Sequence, residues 1–424
     1  MAVFILLITI VSGQSQAPTS PPDASFTGAG SCASSNCHGS VWPRTGGRIP
    51  QNEYYIWSTR DRHSKAYQAL LGPESRQIAK NLKIEAPETA ALCLNCHSTN
   101  APGNQRASTF DVADGVTCES CHGPASNWLG PHTTRGWTHE QSVKLGMIDT
   151  KDVRKRLDVC LSCHLGDSTK TVDHELIAAG HPDLVFELET FSALMPAHWN
   201  REKESMSSVQ RWAAGQASTL RASMEQFERR INGKAWDAWP EFADFECASC
   251  HHNLVLPSSR QQRGFIGRAG APAWNEAHYV VFRHLLTATS QAERTRLDDA
   301  VRDLRQLAQT PLSSRQKLAA AAGRIAQIAR DAATPAGKQP LDPQSMTKLL
   351  QAISGDASNI AFAGIRAAEQ ATMSIDVLYN ILRPGRPNDA VNAQIQRLYD
   401  LLQSQARYNP EEFAAQLRQI GRLL

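Results

Sequence analysis

Residues Cys93-Leu94-Asn95-Cys96-His97 decide how the rest of the chain is read. The pattern is C-x-x-C-H. It recurs as Cys118, Cys121 and His122, as Cys160, Cys163 and His164, and as Cys247, Cys250 and His251. A stretched copy lies upstream, with four residues between Cys32 and Cys37 before His38. Two cysteines at this spacing form thioethers with the vinyl groups of one porphyrin, and the adjoining histidine is then placed to bind the iron. C-x-x-C-H is therefore the attachment signature of a c-type haem. The ten cysteines fall into five pairs, each followed by His, and none is left over. A redox dithiol does not need the trailing His, and structural zinc favours cysteine quartets or Cys/His sets without a strict C-H ending. For Cys32, Cys37 and His38 the competing reading is a disulfide beside an unrelated His. The sequence is read as carrying five covalently bound haem c groups, with His38, His97, His122, His164 and His251 as proximal iron ligands.

With 424 residues the chain is long enough for two or three domains. Residues 1–17 read as a secretory signal: an apolar run from Ala2 to Val11, then small and polar residues. The run is too short to span a bilayer as a helix and lacks a positive start; a retained N-terminal membrane anchor is the alternative. Residues 18–31 are rich in Pro, Ser, Gly and Ala and are expected to be a flexible leader. A periplasmic or otherwise exported protein follows, which agrees with c-type haem attachment. Lys plus Arg exceeds Asp plus Glu by only three (44 against 41), so no nucleic-acid partner is expected. Each ferric haem with ionised propionates adds about −1 and each ferrous one about −2. Reduction therefore adds negative charge in partly buried places, and proton uptake is expected with it.

The expected fold is mainly α, with little regular sheet around the haems and a helical bundle after them. Ala66, Tyr67, Leu70 and Leu71 have helical spacing with His63 on the same side, so His63 is expected on that apolar-faced helix, and a further helix is expected over 73–84. Only 20 residues separate His97 from Cys118, so the second and third haems are expected to be neighbours. A long amphipathic helix is expected over 200–232. The haem-bearing domain is set at 32–284. Beyond it, residues 285–424 contain no Cys, His or Trp and repeat Ala, Leu, Gln, Ile and Arg at helical spacing over 297–307, 316–331, 343–353, 361–382 and 392–406. This bundle is expected to be a scaffold or docking unit without part in the haem chemistry.

Nine of the fourteen histidines remain after the five proximal ones, and all nine lie before residue 285. A histidine in the sixth position gives a low-spin, electron-transferring iron, whereas an open position admits small molecules. The distal candidates are His63, His132, His174, His181, His198 and His252. His174 and His181 are seven apart, two turns on one helix if it continues, although Pro182 fits the start of another. His252 cannot bind the iron of His251 but can point towards a neighbouring one. His139, His278 and His284 are read as ordinary polar or capping residues.

These residues carry a resemblance. The motif ladder, Arg62-His63-Ser64-Lys65-Ala66-Tyr67, Ala179-Gly180-His181-Pro182 with Phe186-Glu187-Leu188, Pro196-Ala197-His198-Trp199 and Cys247 to His252 are similar to the multihaem cytochrome c family typified by the tetrahaem electron carrier of hydroxylamine oxidation. The resemblance covers roughly residues 30–285. It implies mostly helical structure and closely packed, largely His/His-ligated haems, with one haem five-coordinate in some members. A fifth haem and the long C-terminal bundle are departures. The C-x-x-C-K motif of a lysine-ligated catalytic haem is absent.

The function expected is an exported pentahaem cytochrome that carries electrons between redox partner proteins, with no catalytic residue. The alternative is an oxidoreductase in which one open haem acts on a small nitrogen or sulfur compound. A third reading is a subunit whose bundle docks to a membrane or quinone-linked complex.

Overall fold

The computed structural model describes residues 23–424 except 47–48, 202–203, 234–239, 253–254, 256–269, 311–313, 339–340 and 386–388. The expected signal segment lies outside the described residues. Among those described there is no strand; the only sheet-like contacts are isolated bridges, Phe26 with Arg106 and Phe245 with Trp274.

Short helices carry the motifs because one turn suffices. At positions i, i+3 and i+4, two cysteines and a histidine share a helix face. The second motif ends the helix Ala91–His97, the third is the helix Cys118–His122, and the fourth closes Val153–His164. The fifth lies on the 3-10 turn Cys247–Ser249. The stretched first motif cannot use this register. It closes instead as a loop, with Cys37 N–H and Gly39 N–H donating to the Ser34 carbonyl and His38 N–H donating to that of Cys32.

Several expectations change here. The described part of the expected leader, residues 23–31, is tied down. Phe26 N–H donates to the Gln105 carbonyl at 2.7 Å. Thr27 and Gly28 N–H donate at 2.8 Å to the two carboxylate oxygens of Glu119, itself buried inside the third motif. Local composition reads as a leader because the partner lies 92 residues away. His63 sits on the 3-10 turn Arg62–Lys65 ahead of the helix Ala66–Leu70, because Asp61 caps that turn. The helix His174–Ala178 does not continue to His181, and Pro182 starts no helix; Gly180 takes φ +116° between them.

The boundary at 284 cuts through one packed body. It falls inside the helix Phe282–Thr289, and one contiguous core runs from Val209 to Ile420. The long helix starts at Ser208, later than expected, because Ser207 and Gln210 form a capping box. Its apolar face, Val209, Trp212, Leu220, Met224, Phe227 and Ile231, is buried. Each such side chain contributes about 1.5–3 kcal/mol on leaving water. Its main partner is the alanine-rich helix Arg315–Lys338. The expected helix over 361–382 is two helices, Ala357–Phe362 and Ile365–Leu382. Gly364 divides them at φ +116°, and a Cβ there would lie 1.9 Å from the Glu246 carboxylate. A final helix, Pro410–Leu423, was not expected. Asn409-Pro410-Glu411-Glu412, a cap followed by proline and acids, is its start signal.

Candidate haem sites

The described structure brings the motif histidines into five pairs, each with one histidine from outside the motifs. His38 faces His132 with ring centroids 6.2 Å apart, and His97 faces His181 at 6.3 Å. His122 faces His198 at 6.5 Å, His164 faces His63 at 6.2 Å, and His251 faces His174 at 6.1 Å. These separations are too long for ring contact. Two imidazoles bound trans to one metal ion hold their nitrogens about 4 Å apart, at ~2 Å from the metal each, which with the ring half-widths puts the centroids about 6 Å apart. The histidine pairs therefore fit an iron between them at every motif.

The hydrogen bonds support the same division of histidines. His38 Nδ1 bonds the Glu53 carboxylate at 2.9 Å and His63 Nδ1 that of Asp61 at 2.9 Å. His97 Nδ1 reaches the Ala66 carbonyl at 3.0 Å, His132 Nδ1 that of Leu129 at 2.5 Å, and His181 Nδ1 that of Pro182 at 2.7 Å. Fixing Nδ1 orients the ring and leaves Nε2 for a metal. His139 and His284 do the reverse: each spends Nε2 on a carboxylate, Asp149 and Asp356, at 2.8 Å. His252 is exposed and belongs to none of the five pairs.

Burial pulls His122 and His164 down to about 4, so both are neutral imidazoles, the form that ligates. His164 packs against Phe186 and Phe191, at 5.3 and 5.2 Å, which also touch each other at 4.9 Å. His38 and His63 are pushed above their ordinary value, chiefly by their bonds to Glu53 and Asp61. One glycine is required here. At Gly115, φ +76°, a Cβ would lie 2.9 Å from the His63 carbonyl.

Sulfur contacts relate the motifs to one another. The sulfurs of Cys32 and Cys118 lie beside each other, as do those of Cys96 and Cys163. The sulfur contacts thus join the first motif to the third and the second to the fourth, while Thr99, just after the second motif, reaches Ser120 of the third through a hydroxyl pair at 2.6 Å. The fifth motif borders the bundle. Arg366, from the helix Ile365–Leu382, lies beside Cys247, bonds the Asp183 carboxylate and donates to the Ala243 carbonyl at 2.7 Å. The expectation that the bundle stands apart from the haem sites is therefore not met. The orienting carboxylates Glu53 and Asp61 were not singled out in the sequence. Asp61 lies two residues before His63, a spacing that suits an Asx-type turn.

Residues 31–123 match the family described as "Cytochrome c554 and c-prime". The chain is 29% identical over 172 residues to cytochrome c-554 of Nitrosomonas europaea, covering 38% of this chain and 64% of that protein. It is 29% identical over 118 residues to the multihaem cytochrome MtrA of Shewanella baltica, covering 25% of this chain and 33% of that one. The chain thus spans under two thirds of the length of either relative. No solved structure matches the chain.

Proposed function

We propose that this chain, a multihaem c-type cytochrome of electron transport, carries five covalently attached haems whose irons are all six-coordinate, each held by two histidines. The pairs are His38 with His132, His97 with His181, His122 with His198, His164 with His63, and His251 with His174. The thioethers come from the ten motif cysteines. The observation that carries this reading is the set of five imidazole pairs at 6.1 to 6.5 Å, one per motif and none shared.

Haem supplies reversible one-electron chemistry. This chain's residues would set its terms: two imidazoles at each motif would hold the iron, and the carboxylates and carbonyls at Nδ1 of His38, His63, His97, His132 and His181 orient those rings. Filled axial positions leave no site for a substrate on iron, so the reading is an electron carrier rather than an enzyme acting on a small nitrogen or sulfur compound. Export to the periplasm and exchange of electrons with redox partner proteins belong to the same proposal. No described helix is long and apolar enough to cross a membrane. Intact mass of the holoprotein tests the haem number. An excess of five haem masses over the polypeptide supports the reading; four removes the stretched motif from it.

A further inference from the structure

The turn after the fourth motif is built around the Asp167 carboxylate and directs one cation, Lys170, towards the motif sulfurs. Asp167 Oδ1 accepts from Thr169 N–H at 2.7 Å, Thr169 Oγ1 at 2.8 Å and Lys170 N–H at 3.0 Å. Asp167 N–H returns a bond to the Lys170 carbonyl at 2.8 Å, and Gly166, at φ +100°, lets that carbonyl approach. Asn95, inside the second motif, donates to the Thr169 carbonyl at 3.0 Å, so the turn is fastened to a different motif from the one it follows. The Lys170 ammonium is directed inwards. It donates to Ser162 Oγ at 3.0 Å and to Cys163 Sγ at 3.4 Å, where the sulfurs of the second and fourth motifs meet. A thioether sulfur still accepts weakly, so this contact survives haem attachment. The facing charge is Asp167, whose Oδ1 is already occupied by the turn.

We propose that Lys170 is a potential-setting residue for the haems of the second and fourth motifs, a fixed positive charge held where their attachment edges meet. Each one-electron reduction adds a negative charge, and a part-buried cation nearby favours it more than one screened by water does. Neither motif needs Lys170 for attachment or axial ligation, so its effect is on potential alone. The inference rests on the haem reading above, and haem mass in the same samples separates failure of one from failure of the other.

The test is an anaerobic spectroelectrochemical titration of the full-length holoprotein and of the variants Lys170→Gln, Lys170→Arg and Ser162→Ala. Lys170→Gln is expected to keep its haem mass and low-spin spectrum while the midpoints of two of the five waves fall and the other three stay. Lys170→Arg restores them. Ser162→Ala, which keeps the charge but loosens it, lowers the same two waves by less, and it decides the matter should the Gln variant lose haem. Unmoved waves in Lys170→Gln, an equal shift of all five, a fall that Arg does not reverse, or no movement in Ser162→Ala would each overturn the proposal.

Discussion

Asp61 accepts two hydrogen bonds from His63, one from its backbone N–H at 3.0 Å and one from Nδ1 at 2.9 Å. One carboxylate both caps the turn and aims the ring at His164. Burial pushes Asp61 up, yet the bonds from His63 outweigh it and hold the carboxyl below its ordinary value. Asp61→Ala should cost about 1 kcal/mol through the lost cap. Its larger effect should be on ligation. With His63 free to rotate, one iron opens in part, and carbon monoxide should bind the reduced variant more than the parent at unchanged haem mass. Equal binding by both would mean that the Asp61 bond does not orient the ring.

Glu119 should be the most sensitive of the residues that lie between the motif cysteines. Its carboxylate accepts from Thr27 N–H, Gly28 N–H and Ala125 N–H, each at 2.8 Å, and is 2% exposed. A buried donor left unpaired costs about 1–3 kcal/mol. Glu119→Ala should lower stability by at least ~2 kcal/mol in chemical denaturation and open residues 23–31 to limited proteolysis. Retained protection there would show that other contacts hold the segment.

How much of this was legible in the sequence depended on how local each signal was. The helical class and most bundle helices are local patterns of spacing, and the structure forms them where the spacing placed them. His132, His174, His181, His198 and His63 were visible as candidates, but their partners were not, because pairing joins residues such as His38 and His132 across many turns of chain. Glu119 and Lys170 were hidden for the same reason: each looks like a solvated charge until the residues it reaches are known. The break at Gly364 is set by the approach of Glu246, more than a hundred residues away, so helical spacing ran through it.

The shared core predicts that the bundle is not dispensable. A chain ending after Leu286 loses both Arg315–Lys338 and Ile365–Leu382, which pack against the buried face of Ser208–Asn232, and should be recovered unfolded or aggregated. Arg366→Ala is the milder probe. It removes a side chain 7% exposed from between Asp183 and Cys247. The loss should reach up to about 3 kcal/mol, since Asp183 keeps partial solvent contact. A soluble, fully loaded truncated protein would show that the haem region folds without the bundle.

Glu369 gives a pH dependence with a defined sign. Burial, reinforced by Asp183, pushes it up to about 7. Between the ordinary carboxylate range and about pH 7 the unfolded chain releases this proton and the folded one keeps it. Its contribution to stability is therefore full at low pH and is lost as pH rises through 7. Glu369→Gln should match the parent near pH 4 and be more stable than it at pH 8, as read by denaturant midpoints. A variant less stable at pH 8 would mean that the ionised form is favourably paired.

The account stands most directly on the five histidine pairs, and electron paramagnetic resonance of the oxidised holoprotein reads them. The ring planes fall into two classes. His38 with His132 and His174 with His251 are near parallel, at 8° and 25°. His63 with His164, His97 with His181 and His122 with His198 are near perpendicular, at 87°, 87° and 80°. Parallel axial imidazoles give a rhombic low-spin ferric signal; perpendicular ones give a highly anisotropic low-spin signal. The prediction is all low-spin iron, two equivalents of the first kind and three of the second. A full equivalent of high-spin iron would contradict six-coordination at every site and return the open-haem enzyme to consideration.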